Sequence, residues 1–488
     1  MIMFIAILLP IVAGIMIPFL PFKQRKHMEI FLESVVVLNS VLVFGIIFHH
    51  QTEAFTLAKF TGNLAVTFKV DGMGMVFAGI VASLWPFAML YAFEYMTKEK
   101  HEKIFFTFYT MTYGVTLGIS FAGNMLTMYF FYELLTLVTV PLVMHTLTRE
   151  AILASRKYLY YSLGGAAFAF IGLIFIITYG RTTDFVLGGV LDLDKIGERV
   201  NVLLLIYVMA FMGFGVKAAI CPFHSWLPDA GVAPTPVTAL LHAVAVVKAG
   251  AFAILRLTYY SFGTSFLRGT WAQWMVMGIA MFTMVYGCSR AVKETHMKRR
   301  LAYSTISNLS YIIFGATLMT PMGMVGAMTH MLFHAVMKIG AFFCVGAIMY
   351  QTEKHYVYEL DGMGFQMPGV FAVFTISALG VMGVPGLAGF ISKWNLATAA
   401  LDSNNPLAYG GIACLLISAL LTAIYMMTIV VRAFFPGKDF DNGAIKEYRD
   451  PNWKMMVPLT VFALWIIVLG LYSAPVVNFL KGVAEGLY

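Results

Sequence analysis

Residues 201–236 read NVLLLIYVMAFMGFGVKAAICPFHSWLPDAGVAPTP. The first twenty are almost wholly apolar, and roughly 20 such residues span a bilayer as a helix. Lys217 interrupts the run near its end, and Pro222, Pro228, Pro234 and Pro236 follow. Proline removes a backbone donor and breaks a helix. Broken backbone at membrane depth is tolerated only where it is buried or lines a cavity. A second stretch, GVMGVPGLAGFISKW at 380–394, repeats the pattern, with Pro385 and Gly386 ahead of Lys393. Paired interrupted helices in the two halves of a transporter mark its ion site.

Composition extends this to the whole chain. Of 488 residues, 60% are hydrophobic and 11% charged, and mean hydropathy is +0.82. Soluble domains hold about 25% charged residues, so a water-soluble globule is excluded. Apolar segments lie at 2–20, 30–48, 73–95, 104–122, 124–146, 158–179, 201–220, 235–257, 271–289, 303–320, 325–350, 367–391, 407–435 and 456–476. The fold class is an all-α polytopic membrane protein of about fourteen transmembrane helices, with two inverted five-helix repeats and two discontinuous helices. The expected division is 1–103 (three helices and an outside hairpin near Gly62-Asn63), 104–257 (first repeat), 271–435 (second repeat) and 436–488 (C-terminal helix). The two DGMG runs, at Asp71 and Asp361, do not align with the repeats and are read as coincidence.

The formal charge of +8 reflects basic cytoplasmic loops rather than a nucleic-acid partner. Loops expected inside hold 20 basic residues against 8 opposite, Arg256 among the latter. This bias, with Lys23, Arg25 and Lys26 after the first segment, places both termini outside a cell membrane. The cysteines Cys221, Cys288, Cys344 and Cys414 form no C-x-x-C and are read as small buried hydrophobes. No iron–sulfur cluster, other cofactor or metal of the chain's own is expected.

Four lysines remain inside spans: Lys217, Lys248, Lys338 and Lys393. Each costs roughly 2.5–3.5 kcal/mol to insert at a helix centre, and such residues mark ion pathways. Snorkelling is the competing reading, strongest for Lys393 near its segment's end. Glu133 stands alone in MLTMYFFYELLTLVTVPLV, and a buried lysine is its natural partner. That pair is either structural or a switch, since burial makes a lysine easier to deprotonate and a nearby carboxylate opposes this. His330, His334 and Lys338 recur at i, i+4, i+8 on one helical stripe. His242 precedes Lys248, and His224 lies beside the Lys217 span. A proton relay, hydrogen-bonded core histidines and a two-histidine metal site all fit the H-x-x-x-H spacing, although no H-E-x-x-H occurs.

The stretch FHSWLPDAGVAPTPVTALLHAVAVVKAG, from Phe223 to Gly250, resembles the hallmark of the antiporter-like subunits. These occur in respiratory complex I, in Mrp-type cation/proton antiporters and in energy-converting hydrogenases. MKRRLAYSTISNLSYI, MTHMLFHAVMKIGAFF and PGLAGFISKWN are similar to three further signatures of that family. The resemblance runs from about residue 65 to 435 and implies fourteen core helices. It implies that Glu133 on the fifth helix pairs with Lys217 on the seventh. Lys248 matches a family position on the eighth helix, His330, His334 and Lys338 the polar stretch of the eleventh, and Lys393 one on the twelfth. A lysine at 393 departs from complex I subunits with glutamate there, and the long C-terminal lateral helix of the largest homologue is not matched.

The implied function is a proton-translocating, non-catalytic subunit of a redox-driven complex, either an energy-converting hydrogenase or complex I-like. Protons would pass two half-channels joined by buried Lys, His and Glu, entering near Lys248 and leaving through Lys393. Implied partners are further membrane subunits, including other antiporter-like chains, and a peripheral redox arm with iron–sulfur clusters. The alternatives are an Mrp-type Na+/H+ antiporter subunit without a redox partner, and a structural scaffold. Sodium transport needs oxygen ligands, and acidic groups in the spans are few.

Overall fold

The computed structural model describes residues 1–49, 53–61, 64–437 and 448–488. The first eleven apolar segments each become one helix. These are α1 Ile2–Met16, α2 Arg25–His49, α3 Gly72–Tyr95, α4 Glu102–Ser120, α5 Met125–Val143, α6 Arg149–Tyr179, α7 Val200–Lys217, α8 Thr235–Phe262, α9 Trp271–Lys293, α10 Met297–Thr317 and α11 Pro321–Thr352. The twelfth becomes two, α12 Pro368–Met382 and α13 Ala388–Asp402. They are followed by α14 Pro406–Phe434, α15 Trp453–Leu471 and a short α16 Ala474–Glu485. Among the described residues, ten helices are long and apolar enough to cross a membrane: α2, α3, α5–α9, α11, α14 and α15.

Polar residues at the turns start many of these helices. Asp71, Asn124, Thr148 and Thr320 sit at N-caps and accept from the backbone N–H of Gly74, Thr127, Ala151 and Gly323. Each satisfies one of the four orphan donors at a helix start. A hairpin of β1 Phe55–Lys59 and β2 Ala65–Phe68 follows α2, antiparallel, with Phe55 opposite Phe68 and a bulge between Thr56 and Ala58. The expected turn residues Gly62 and Asn63 lie outside the described residues, as do the loop lysines Lys438 and Lys446.

Two helices form the centre. The most apolar window of α8 is wholly buried and that of α11 is 94% buried, whereas those of α2 and α15 are 33% buried. α11 packs against α3, α8, α10, α12, α13, α15 and α16. In lipid, helices associate by close packing rather than by the hydrophobic effect, which favours small residues at their contacts. α6 and α7 show this. A methyl group at Gly165 would lie 2.7 Å from the Gly213 carbonyl oxygen.

The structure corrects three expectations. The twelfth segment was expected over 367–391, but it breaks after Met382 and continues to Asp402. Gly383, at φ 90°, ends α12, and Gly389 lets α13 restart against it, since a Cβ there would meet the Gly380 oxygen at 1.9 Å. Lys393 therefore lies in the first turns of α13, inside the broken helix, and not near the segment's end. Arg256, Lys298 and Arg300, counted as loop cations, are at most 5% exposed. The α8 helix runs past its expected end at 257 to Phe262, carrying Arg256 inward. α10 begins at Met297 rather than 303, which buries Lys298 and Arg300 in its first turn. The aspartates of both DGMG runs hold arginines, Asp71 with Arg256 and Asp361 with Arg432.

Candidate functional site

α7 stops at Lys217, and the freed backbone groups find partners nearby. Trp226 Nε1 donates to Val216 O at 2.8 Å, and the N–H groups of Ala219 and Ile220 turn back to Val216 and Gly215. Ala219 takes φ 55°, the left-handed region that few alanines adopt. The chain then passes the expected break at Pro222 in a turn, and α8 starts only at Thr235.

Lys217 is fully buried at this helix end and faces α5. Its Nζ donates to Tyr132 O and lies 3.4 Å from the centre of the Tyr132 ring. Its distance to Glu133 Oε1 is 3.9 Å. The Glu133 side chain is 24% exposed, and its Oε1 has no hydrogen-bond partner among the described residues. A backbone carbonyl and a π face thus hold the ammonium, while the carboxylate stands one step back, at the edge of salt-bridge range.

α8 carries the next members. Residues Leu240–Val244 form a π-turn, an irregularity frequent at functional sites. It holds His242, whose ring lies 4.9 Å from that of Phe342 of α11, tilted by 46°. Four residues beyond the turn's end, Lys248 Nζ meets His334 Nδ1 at 2.6 Å. The His334 and His330 rings lie 5.6 Å apart on α11, as the i, i+4 spacing requires. His330 Nδ1 bonds Ser392 Oγ at 2.9 Å, and Lys393 follows. Lys393 Nζ donates to Val381 O and Met382 O, both at 2.8 Å. These are C-terminal carbonyls of α12, where a cation is favoured by the helix dipole.

The structure therefore brings Lys248, His334, His330 and Ser392, a residue not singled out in the sequence, into one buried row, with the half-buried Lys393 next to Ser392 in the chain and bonded to the end of α12. Glu133 and Lys217 form a separate cluster, and α8 passes it at Gly250 without room for a side chain. Lys338 turns aside from the row to Leu301 O of α10 at 3.3 Å. His224 does not join it either. Its ring stands on Tyr286 of α9 at 4.9 Å, because the turn after Lys217 carries it away from α11.

A further buried cation escaped the sequence reading. Arg256 Nη1 and Nη2 donate to the two carboxylate oxygens of Asp71 at 2.5 and 2.6 Å. The rings of Phe185, Phe252 and Tyr260 surround the guanidinium within 5.0 Å. Arg432 pairs with Asp361 of the second DGMG run at 3.1 Å. The repeated tetrapeptide was the available signal for both pairs.

Comparison with known proteins agrees with this architecture. Residues 122–425 match the family described as "NADH:quinone oxidoreductase/Mrp antiporter, TM". The chain is 27% identical over 412 residues to an NADH-quinone oxidoreductase subunit N of Desulforudis audaxviator, covering 82% of this chain and 80% of that one. It is 28% identical over 495 residues to a Na(+)/H(+) antiporter subunit of Alkalihalophilus pseudofirmus, covering 95% of this chain and 60% of that one. A chain of the membrane-bound sulfane sulfur reductase, an archaeal respiratory membrane complex, shares the fold with a TM-score of 0.85 at 22% identity. That match covers 99% of this chain and 97% of the other. This chain belongs to the NADH:quinone oxidoreductase/Mrp antiporter family of multi-pass membrane subunits.

Proposed function

We propose that this chain translocates protons within a multi-subunit membrane complex, through the buried Lys217, His242, Lys248, His330, His334 and Lys338 and the half-buried Glu133 and Lys393. The observation that carries the reading is the row from Lys248 through His334 and His330 to Ser392 and Lys393. Imidazole nitrogens and a hydroxyl can each accept a proton on one side and release one on the other. Two lysines bound the row and repel metal cations, which favours protons over sodium.

Lys217 is the switch. A unit-charge pair near 4 Å is worth about 4 kcal/mol at the effective dielectric of a protein site. Drawing Glu133 away, toward a neighbouring subunit on its partly exposed side, removes that attraction. The ammonium then remains with only a carbonyl and a π face, and its proton moves on.

The finer architecture belongs to this reading. The ten long apolar helices, with α1, α4, α10 and the α12–α13 pair, make fourteen crossings. α4–α8 and α9–α14 form two inverted five-helix units. The starts of α2 and α10 face the cytoplasm, both termini face outward, and a redox arm with iron–sulfur clusters drives the subunit. The similarity to a Na(+)/H(+) antiporter subunit over 95% of this chain keeps the Mrp-type assembly as the second reading.

The test is transport by the purified complex in liposomes carrying an internal pH dye. Lys217→Ala is expected to assemble normally and reduce proton transport to background. Transport at the parent rate would sink the reading. Iron and nickel content of the same preparation, with the identity of its co-purifying chains, separates a redox complex from an Mrp-type antiporter.

A further inference from the structure

A second polar assembly lies apart from the row. Ser and Thr in membrane helices commonly bond back to a carbonyl of their own helix. Between α9, α10 and α14, several also contact one another across helices, although Thr422 Oγ1 still donates to Ser418 O and Ser307 Oγ to Met284 O, both at 2.7 Å. Tyr311 OH donates to Ser418 Oγ at 2.7 Å. Ser418 Oγ lies 3.0 Å from Ser307 Oγ and 2.9 Å from Cys288 Sγ, and the thiol also donates to Ser307 Oγ at 3.0 Å. Thr422 Oγ1 continues the chain at 3.6 Å from the sulfur and accepts from Tyr425 OH at 3.2 Å. Tyr425 OH in turn meets Ser304 Oγ at 2.5 Å. All of these side chains are at most 1% exposed.

The two ends of the column differ. At one end the Tyr311 ring lies 5.0 Å from His330 and 5.3 Å from Lys393 Nζ, so the column reaches the row already described. At the other, Arg300 donates to Tyr425 O at 2.9 Å and to Glu294 O at 2.8 Å. The Arg300 guanidinium thus packs on backbone carbonyls beside the end nearest the start of α10 and leaves the Tyr425 hydroxyl to Ser304 and Thr422.

We propose that this hydroxyl–thiol column is a second proton branch, leading from the Arg300 end to Lys393. It rests on the reading of the chain as a proton carrier. Every member is both a donor and an acceptor. A proton arriving at Tyr425 is taken by its oxygen as that hydroxyl passes its own proton to Thr422. The same exchange repeats through Cys288 and Ser418 to Tyr311. One proton leaves for each that enters, and no member keeps a charge. The last transfer requires the Tyr311 hydroxyl to turn from Ser418 toward Lys393. Helix adhesion through hydroxyl pairs is the competing role, and it predicts a loss of stability without a loss of transport.

The test uses the intact complex in liposomes. Cys288→Val, Ser418→Ala and Tyr311→Phe should each lower transport at least about tenfold per assembled complex, with Cys288→Ser within about twofold of the parent. With Cys221, Cys344 and Cys414 replaced by alanine, the infrared S–H band of Cys288 should convert to S–D in heavy water during turnover. If Cys288→Val does not assemble, Tyr311→Phe, which keeps the ring, carries the test. Parent-like transport in the assembled variants, beside an inactive Lys217→Ala, overturns the branch and leaves adhesion. An active Lys217→Ala overturns the proton-carrier reading on which the branch rests.

Discussion

Arg256–Asp71 and Lys217–Glu133 are both buried ion pairs at a helix end, yet they are built in opposite ways. The first is bidentate at 2.5 and 2.6 Å, ringed by aromatic side chains, and its carboxylate also caps α3. The second is separated by 3.9 Å, its Oε1 has no hydrogen-bond partner among the described residues, and the lysine leans on Tyr132 instead. A fork of five fixed donors suits permanent pairing, whereas an ammonium on a flexible stem loses its proton more readily on burial. A pair that must open and close is held loosely, and one that joins helices is held at every available atom.

The largest effect expected from this contrast is on stability. Asp71→Ala strands the Arg256 charge and should destabilise the chain by about 3–5 kcal/mol, read as loss of assembled complex and a lower melting temperature. Asp71→Ala with Arg256→Met should recover most of the loss. A single variant melting with the parent would end the clamp interpretation.

Next comes Glu133→Gln, which keeps shape and removes charge. Its cost in melting temperature should be small, because the amide replaces a carboxylate whose buried oxygen Oε1 has no hydrogen-bond partner among the described residues. Proton transport should fall about tenfold or more, as expected when a positioned proton-transfer group is lost. Equal losses of stability in the Asp71 and Glu133 variants would erase the distinction between clamp and switch.

The smallest effect lies outside the membrane. Burial, with Lys298 and His355 nearby, holds His296 down at about 4. The unfolded chain takes up this proton near pH 6.5, whereas the folded corner resists it. Stability there should be unchanged above about pH 6.5 and fall as pH drops toward 4. Hydrogen exchange at the Met297 amide, bonded to His355 O, should quicken over that window after correction for intrinsic rates. His296→Gln should flatten the slope, and a slope that survives the substitution would point to another group.

Much of this molecule was legible in one dimension. Apolar runs near 20 residues set the helices, because lipid leaves each backbone group to be satisfied within its own segment. Pro385, Gly386 and the glycines around them announced the break in α12–α13. The residues before Lys217 and after it announced where α7 stops. His330 and His334 fell on one stripe because helical spacing is local. Insertion cost alone singled out Glu133 and the four lysines.

Partner choice was not legible. That Lys248 meets His334 rather than His330, that Ser392 bonds His330, and that His224 turns away to Tyr286 depend on how α8, α9, α11 and α13 are rotated against one another. Arg256 read as a loop residue because hydropathy counts a charge without seeing the carboxylate that Asp71 brings from 185 residues away. The hydroxyl–thiol column was invisible for the same reason, since serines and a cysteine scattered over three helices carry no spacing signal. Sequence determined which apolar segments become helices, because that depends on each segment's own transfer energy, although it left Arg256, Lys298 and Arg300 in the loops. Tertiary structure alone decided which of them meet, because that depends on helix rotation and close packing between segments remote in the chain.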